Sequence, residues 1–103
     1  MAAVSDRFSV NFPADYDARG EQETPLKGYL GDVIVCLEDG SRYSLFFYDP
    51  VRLAQDLKSM VECGKACLAE PNMIVLPELT TEAIRKAVEQ LVGEGFFRLL
   101  KPL

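Results

Sequence analysis

Two strand-like runs either side of an Asp39-Gly40 dipeptide constrain this chain more than any other feature. Lys27 to Glu38 is rich in Tyr, Val, Ile and Leu, and Ser41 to Tyr48 returns with Tyr and Phe. Asp-Gly supplies the residues that tolerate the positive φ of a tight turn, so the pair predicts an antiparallel hairpin. If Asp39-Gly40 forms a two-residue loop, Cys36 lies opposite Tyr43, Ile34 opposite Leu45, and Val33 opposite Phe46. Because side chains alternate across a strand, that register sorts the residues into two faces. One face collects Ile34, Cys36, Tyr43, Leu45 and Phe47; the other collects Val33, Val35, Leu37, Phe46 and Tyr48.

The remaining elements follow from periodicity and caps. Phe8, Val10 and Phe12 alternate with Ser9 and Asn11, which predicts a half-buried strand over residues 7–12, ended by Pro13. Residues 13–26 show no sustained period and carry Asp15, Asp17, Glu21 and Glu23 against Arg19, so they read as a long acidic loop. Asp49-Pro50 is a helix start, with Asp49 as cap and Pro50 at the first position, where no amide partner is lost. Leu53, Ala54, Leu57, Met60 and Val61 then fall on one helical face, and Gly64 is the stop. Met73 to Leu76 reads as a strand buried on both faces. Thr80 or Thr81 caps a second amphipathic helix whose stripe is Ile84, Ala87, Val88, Leu91 and Val92, ending at Gly93. Phe96 to Leu100 is too apolar to hang free and is expected to dock as a final turn or short strand.

These readings define an α+β fold in a single domain over residues 1–103: a mixed sheet of about four strands in the order β-β-β-α-β-α, with two amphipathic helices packed on one face. Strand, helix, strand in succession implies a crossover connection and one parallel pair beside the antiparallel hairpin. With both helices on one face, Val33, Val35, Leu37, Phe46 and Tyr48 would form an exposed apolar patch, as at protein interaction sites. One helix on each face would cover it.

Composition removes several functions. The chain lacks histidine, so Ser-His-Asp and Cys-His triads and the histidine-containing zinc sites are excluded within it. At 49% apolar and 26% charged it is a globular composition, not a disordered one. The net charge of −5 opposes phosphate backbones, and the aromatic cluster of Tyr43, Phe46, Phe47 and Tyr48 has only Arg42 beside it, so no nucleic-acid partner is expected. Residues 1–26 hold five acids and two bases, the remainder eleven and nine, so acidity is concentrated in the leading quarter. Met1 to Arg7 lacks a signal-peptide pattern, no run is long enough to span a bilayer, and Cys36, Cys63 and Cys67 suit reduced thiols; together these predict a cytoplasmic protein without membrane contact.

Chemical motifs are weak. Cys63 and Cys67 are one residue too far apart for CxxC and lie at a helix C-terminus, where the dipole disfavours a thiolate. Asp15, Asp17 and Gly20 match the start of a calcium loop, but Arg19 and Leu26 occupy ligand positions. Neither a catalytic residue, a metal site nor a cofactor is assigned. The expected function is a small non-enzymatic module binding a protein partner, or itself as a homodimer, through Val33, Val35, Leu37, Phe46 and Tyr48. The acidic Asp15, Asp17, Glu21 and Glu23 would add charge complementarity, as in an acidic inhibitor or immunity-type protein. The alternative is a small enzyme or ligand-binding domain using carboxylate, Tyr and Lys groups near Asp32 and Glu78.

Overall fold

The computed structural model describes residues 8–103. Arg7, expected to open the first strand, and the rest of the leading segment Met1 to Arg7 lie outside the described residues. The elements are β1 (Phe8–Asn11), α1 (Ala18–Lys27), β2 (Tyr29–Leu37), β3 (Arg42–Tyr48), α2 (Pro50–Glu62), β4 (Met73–Val75), α3 (Thr81–Gly93) and a 3-10 turn (Phe96–Leu99). The four strands form one mixed sheet in spatial order β1-β2-β3-β4, antiparallel except for the β3–β4 pair. The fold is α+β, with three helices where the sequence shows two.

The additional helix corrects the acidic loop expected over residues 13–26. α1 has almost no apolar stripe, buries only Thr24 and contains Pro25, so periodicity could not reveal it. Local chemistry holds it instead. Asp17 caps it by accepting from the Gly20 amide at 2.9 Å, the Thr24 hydroxyl donates to the Gly20 carbonyl at 2.7 Å, and Lys27 stands in the last turn beside the helix dipole's negative end. Gly28 ends it at φ +72°.

Gly28 also fixes the start of α2. The Asp49 amide donates to the Gly28 carbonyl at 2.9 Å, and the Asp49 carboxylate accepts from the Arg52 amide at 2.8 Å as the cap of α2. A Cβ on Gly28 would lie 2.6 Å from that carboxylate, so the two helix ends meet at a point only glycine can occupy.

The hairpin loop has three residues, Glu38, Asp39 and Gly40. The Leu37 amide donates to the Ser41 carbonyl at 2.9 Å, and Gly40 takes φ +90°, the arrangement of a type I turn followed by a left-handed residue. Asp39 stabilises the turn by accepting from both the amide and the hydroxyl of Ser41, at 2.9 and 2.5 Å. The Ser41 hydroxyl first, then the Ser41 amide, lower the Asp39 pKa below its ordinary value.

That extra loop residue shifts the expected register by one. Val33 pairs with Leu45, Ile34 with Ser44, Val35 with Tyr43 and Cys36 with Arg42. The face assignment of β2 is therefore the reverse of the expected one, while that of β3 stands. Val33 and Val35 are fully buried with Tyr43, Leu45 and Phe47, and are not part of an exposed patch. Leu37, half-buried, packs against the same core. A second irregularity lies between Leu30 and Val33, where Gly31 and Asp32 together oppose Phe46 and Asp32 is held at φ +57°.

The core lies between this sheet face and α3. Ile84 and Val88 of α3, Leu76 and Leu79 before it, and Phe97 of the 3-10 turn join the sheet residues. Phe97 meets Tyr43 edge-on, with centroids 5.1 Å apart. Thr80 caps α3 by accepting from the Ala83 amide at 3.0 Å. β4, expected to be buried on both faces, is instead the edge of the sheet: the sheet order ends there, and Val75 is exposed. α2 does not share a face with α3. Its Arg52 guanidinium lies over the Tyr29 ring, 5.3 Å from the centroid, on the opposite side of the sheet.

Candidate interaction surface

The second sheet face is built from residues that alternate with the core. Tyr29 opposes Tyr48 across β2 and β3, and Phe46 lies two residues along from Tyr48. The three rings cluster, with Tyr29 5.1 Å from Phe46 and 5.6 Å from Tyr48, and Phe46 6.0 Å from Tyr48. Gly31 permits this: a Cβ there would sit 3.1 Å from the Phe46 ring. Ile34 and Cys36 continue the face along β2, and Met73 and Val75 along β4.

Acidic groups border these aromatics. Arg52 pairs with Asp56 at 2.9 Å and donates to the Lys27 carbonyl at 3.2 Å, which ties α2 to the end of α1. Burial, then the negative charges of Asp56 and Glu70, raise the Tyr48 phenol above its ordinary pKa of 10.0. Its contribution to stability is thus complete below that ordinary value and lost as the pH rises through the raised one. In a phenolate absorbance titration, Tyr48 should ionise above the usual tyrosine range. Tyr48→Phe should remove that late step.

α2 leaves much of its apolar stripe open. Leu53 and Met60 are half-buried, but Leu57 is 41% and Val61 56% exposed, and no residue of the helix is buried. At the other end of this face, Asp32, Ser44, Phe46, Glu70, Pro71, Asn72, Lys101, Pro102 and Leu103 line a cavity of about 300 Å³.

The predicted site residues separate in space. Phe46 and Tyr48 do lie on the second face, Tyr48 being buried there, whereas Val33, Val35 and Leu37 belong to the core side. Asp15, Asp17 and Glu23 border a groove beside α1, and Glu21 is exposed in its first turn. Glu23 pairs with Arg19 at 3.5 Å, and Asp17 accepts from the Gly20 amide as the cap of α1. Asp32 borders two hollows, and Glu78 lines neither. Cys63 and Cys67 are exposed free thiols, and Cys36 is half-buried. Among the described residues, no group of three or more His, Cys, Asp or Glu side chains is placed to hold a metal ion, and no helix is long and apolar enough to cross a membrane. The open stripe of α2 was legible as an amphipathic pattern; that it stays uncovered was not.

The fold and this surface thus define a small α+β protein with one packed and one partly open sheet face. No family model, curated protein or solved structure matches the chain.

Proposed function

We propose that this protein is a small, cytoplasmic, non-enzymatic interaction module that docks another protein on its second sheet face and on α2. One observation supports this reading most strongly: α2 carries an apolar stripe yet buries none of its residues, leaving Leu57 and Val61 open. Covering a side chain of this size contributes about 1.5–3 kcal/mol, which a partner surface would gain and the isolated chain forgoes. The net charge of −5 and the carboxylates beside the aromatic cluster favour a basic partner, in the manner of an acidic inhibitor.

Photo-crosslinking in the native cell tests this. A photoreactive residue at Leu57 or Val61 should capture a discrete protein, whereas one at Gln55 or Ser59, on the opposite side of α2, should not. Capture of a second copy would identify the occupant as this chain itself. Equal labelling from both pairs of positions, or none from either, would refute the reading. Leu57→Asp should abolish capture while changing folding stability by no more than about 1 kcal/mol, as for a surface position.

A further inference from the structure

We propose that the cavity beside Phe46 receives the guanidinium of an arginine carried by a basic protein partner. This deepens the docking reading given above and rests on it. The cavity's apolar wall is Phe46, Pro71, Pro102 and Leu103, suited to the methylene stem of a long side chain, and Asp32 and Glu70 supply carboxylates to a cationic head. Among the described residues neither carboxylate has an ion-pair or hydrogen-bond partner, while Asp56 on the same face is already held by Arg52. Lys101 is the single cation on the wall, and its side chain is exposed.

The walls are fixed before any partner arrives. Asn72, at φ +57°, donates through Nδ2 to the carbonyls of Ser44 and Lys101 at 3.2 and 2.7 Å, and its Oδ1 accepts from the Lys101 amide at 2.8 Å. The Leu103 amide donates to the Arg42 carbonyl at 2.8 Å, which holds the tail along β3. On the opposite wall Asp32 is presented by the bulge at φ +57°, a left-handed conformation that Asp tolerates better than most non-glycine residues.

The same face already shows the chemistry. Arg52 lies over Tyr29, which in turn contacts Phe46, so this aromatic cluster holds one guanidinium from within the chain. Arginine fits better than lysine because its planar head stacks on a ring and meets a carboxylate through two donors at once. An acidic segment would meet Asp32 and Glu70 as like charges.

The probe is a short, capped, otherwise neutral peptide with one central arginine, titrated into the full chain and followed by amide chemical shifts. Shifts should centre on Asp32, Phe46 and residues 70–72, and weaken with added salt. The same peptide with citrulline, an uncharged isostere, should produce none, and lysine should bind more weakly. Glu70→Gln and Phe46→Leu should each reduce the affinity by about two- to fivefold, the range for exposed cation–π and ion-pair contacts. Because Glu70→Gln is a half-buried, isosteric change, retained dispersion of the spectrum will show that the fold is intact. Equal shifts with citrulline, shifts centred on Asp15 to Glu23, binding of an acidic peptide instead, or no shifts at about tenfold-millimolar peptide would overturn the assignment. Crosslinking from α2 is independent of these residues, so failure of the arginine slot and failure of the docking reading are separable.

Discussion

Val35→Asp is expected to leave the chain unfolded, whereas Ile34→Asp, one residue away, should still fold. Val35 is fully buried between the sheet and α3, with Tyr43 as its cross-strand partner. A carboxylate there either stays ionised without a partner or takes up a proton, and the valine's packing is lost as well. The combined penalty is several kcal/mol, comparable with the whole stability of about 5–15 kcal/mol of an ordinary domain. Ile34 points to the second face, half-buried opposite Ser44, where a charge can reach water. Its replacement should cost about 1–2 kcal/mol, mainly strand preference and partial burial. Circular dichroism and thermal melts of the two variants compare the registers directly. In the register of a two-residue Asp39-Gly40 loop, the order of damage would be reversed.

Gly28→Ala should be the most damaging single change outside the core, at about 2–4 kcal/mol. Two costs combine. The left-handed conformation at φ +72° disfavours a Cβ by about 1–2 kcal/mol. The same Cβ would stand 2.6 Å from the Asp49 carboxylate and displace it from the Arg52 amide, at a further cost of about 0.5–2 kcal/mol for a lost cap. Denaturant unfolding measures the sum, and hydrogen exchange should show the first turn of α2 opening before the sheet. The cap's share can be isolated by adding Asp49→Ala. If the methyl acts by expelling that carboxylate, the double variant should lose much less than the sum of the single losses, because the cap can be lost only once. Additive losses would mean that only backbone strain matters.

How much was legible in advance depended on how local each determinant was. Asp49-Pro50 and the Thr80-Thr81 pair marked the starts of α2 and α3 because a cap is chosen by chemistry within a single turn; of the two threonines, the structure uses Thr80. The β3 assignment survived because alternation of Tyr43, Leu45 and Phe47 needs no knowledge of the loop. The β2 assignment did not, since it was inherited through the turn, and one added loop residue, Glu38, inverted it. α1 escaped notice for the opposite reason. Its determinants were present in Asp17, Lys27 and Gly28, but Pro25 and the missing apolar stripe outweighed them.

The candidate surface divides in the same way. Phe46 and Tyr48 were identified by residue type and alternation. Glu70 and Asn72 were not identified as parts of that face, and nothing near them in sequence indicates it: they reach Phe46 and Ser44 only because β4 pairs parallel to β3 and the chain's last residues lie along the same edge. The exposed acids expected to assist recognition proved partly engaged, Asp17 as a cap and Glu23 with Arg19.

The amino-acid order by itself determined the α+β class, the hairpin, both amphipathic helices and the absence of histidine chemistry, because period, caps and composition are properties of neighbours along the chain. Only the tertiary structure decided which side of β2 is core, that α2 lies on the open face with its stripe uncovered, and that Asp32, Phe46 and Glu70 share one cavity. Those outcomes follow from register and from edge pairing, and both depend on contacts between residues far apart in sequence, where a shift of one position turns every side chain to the other face.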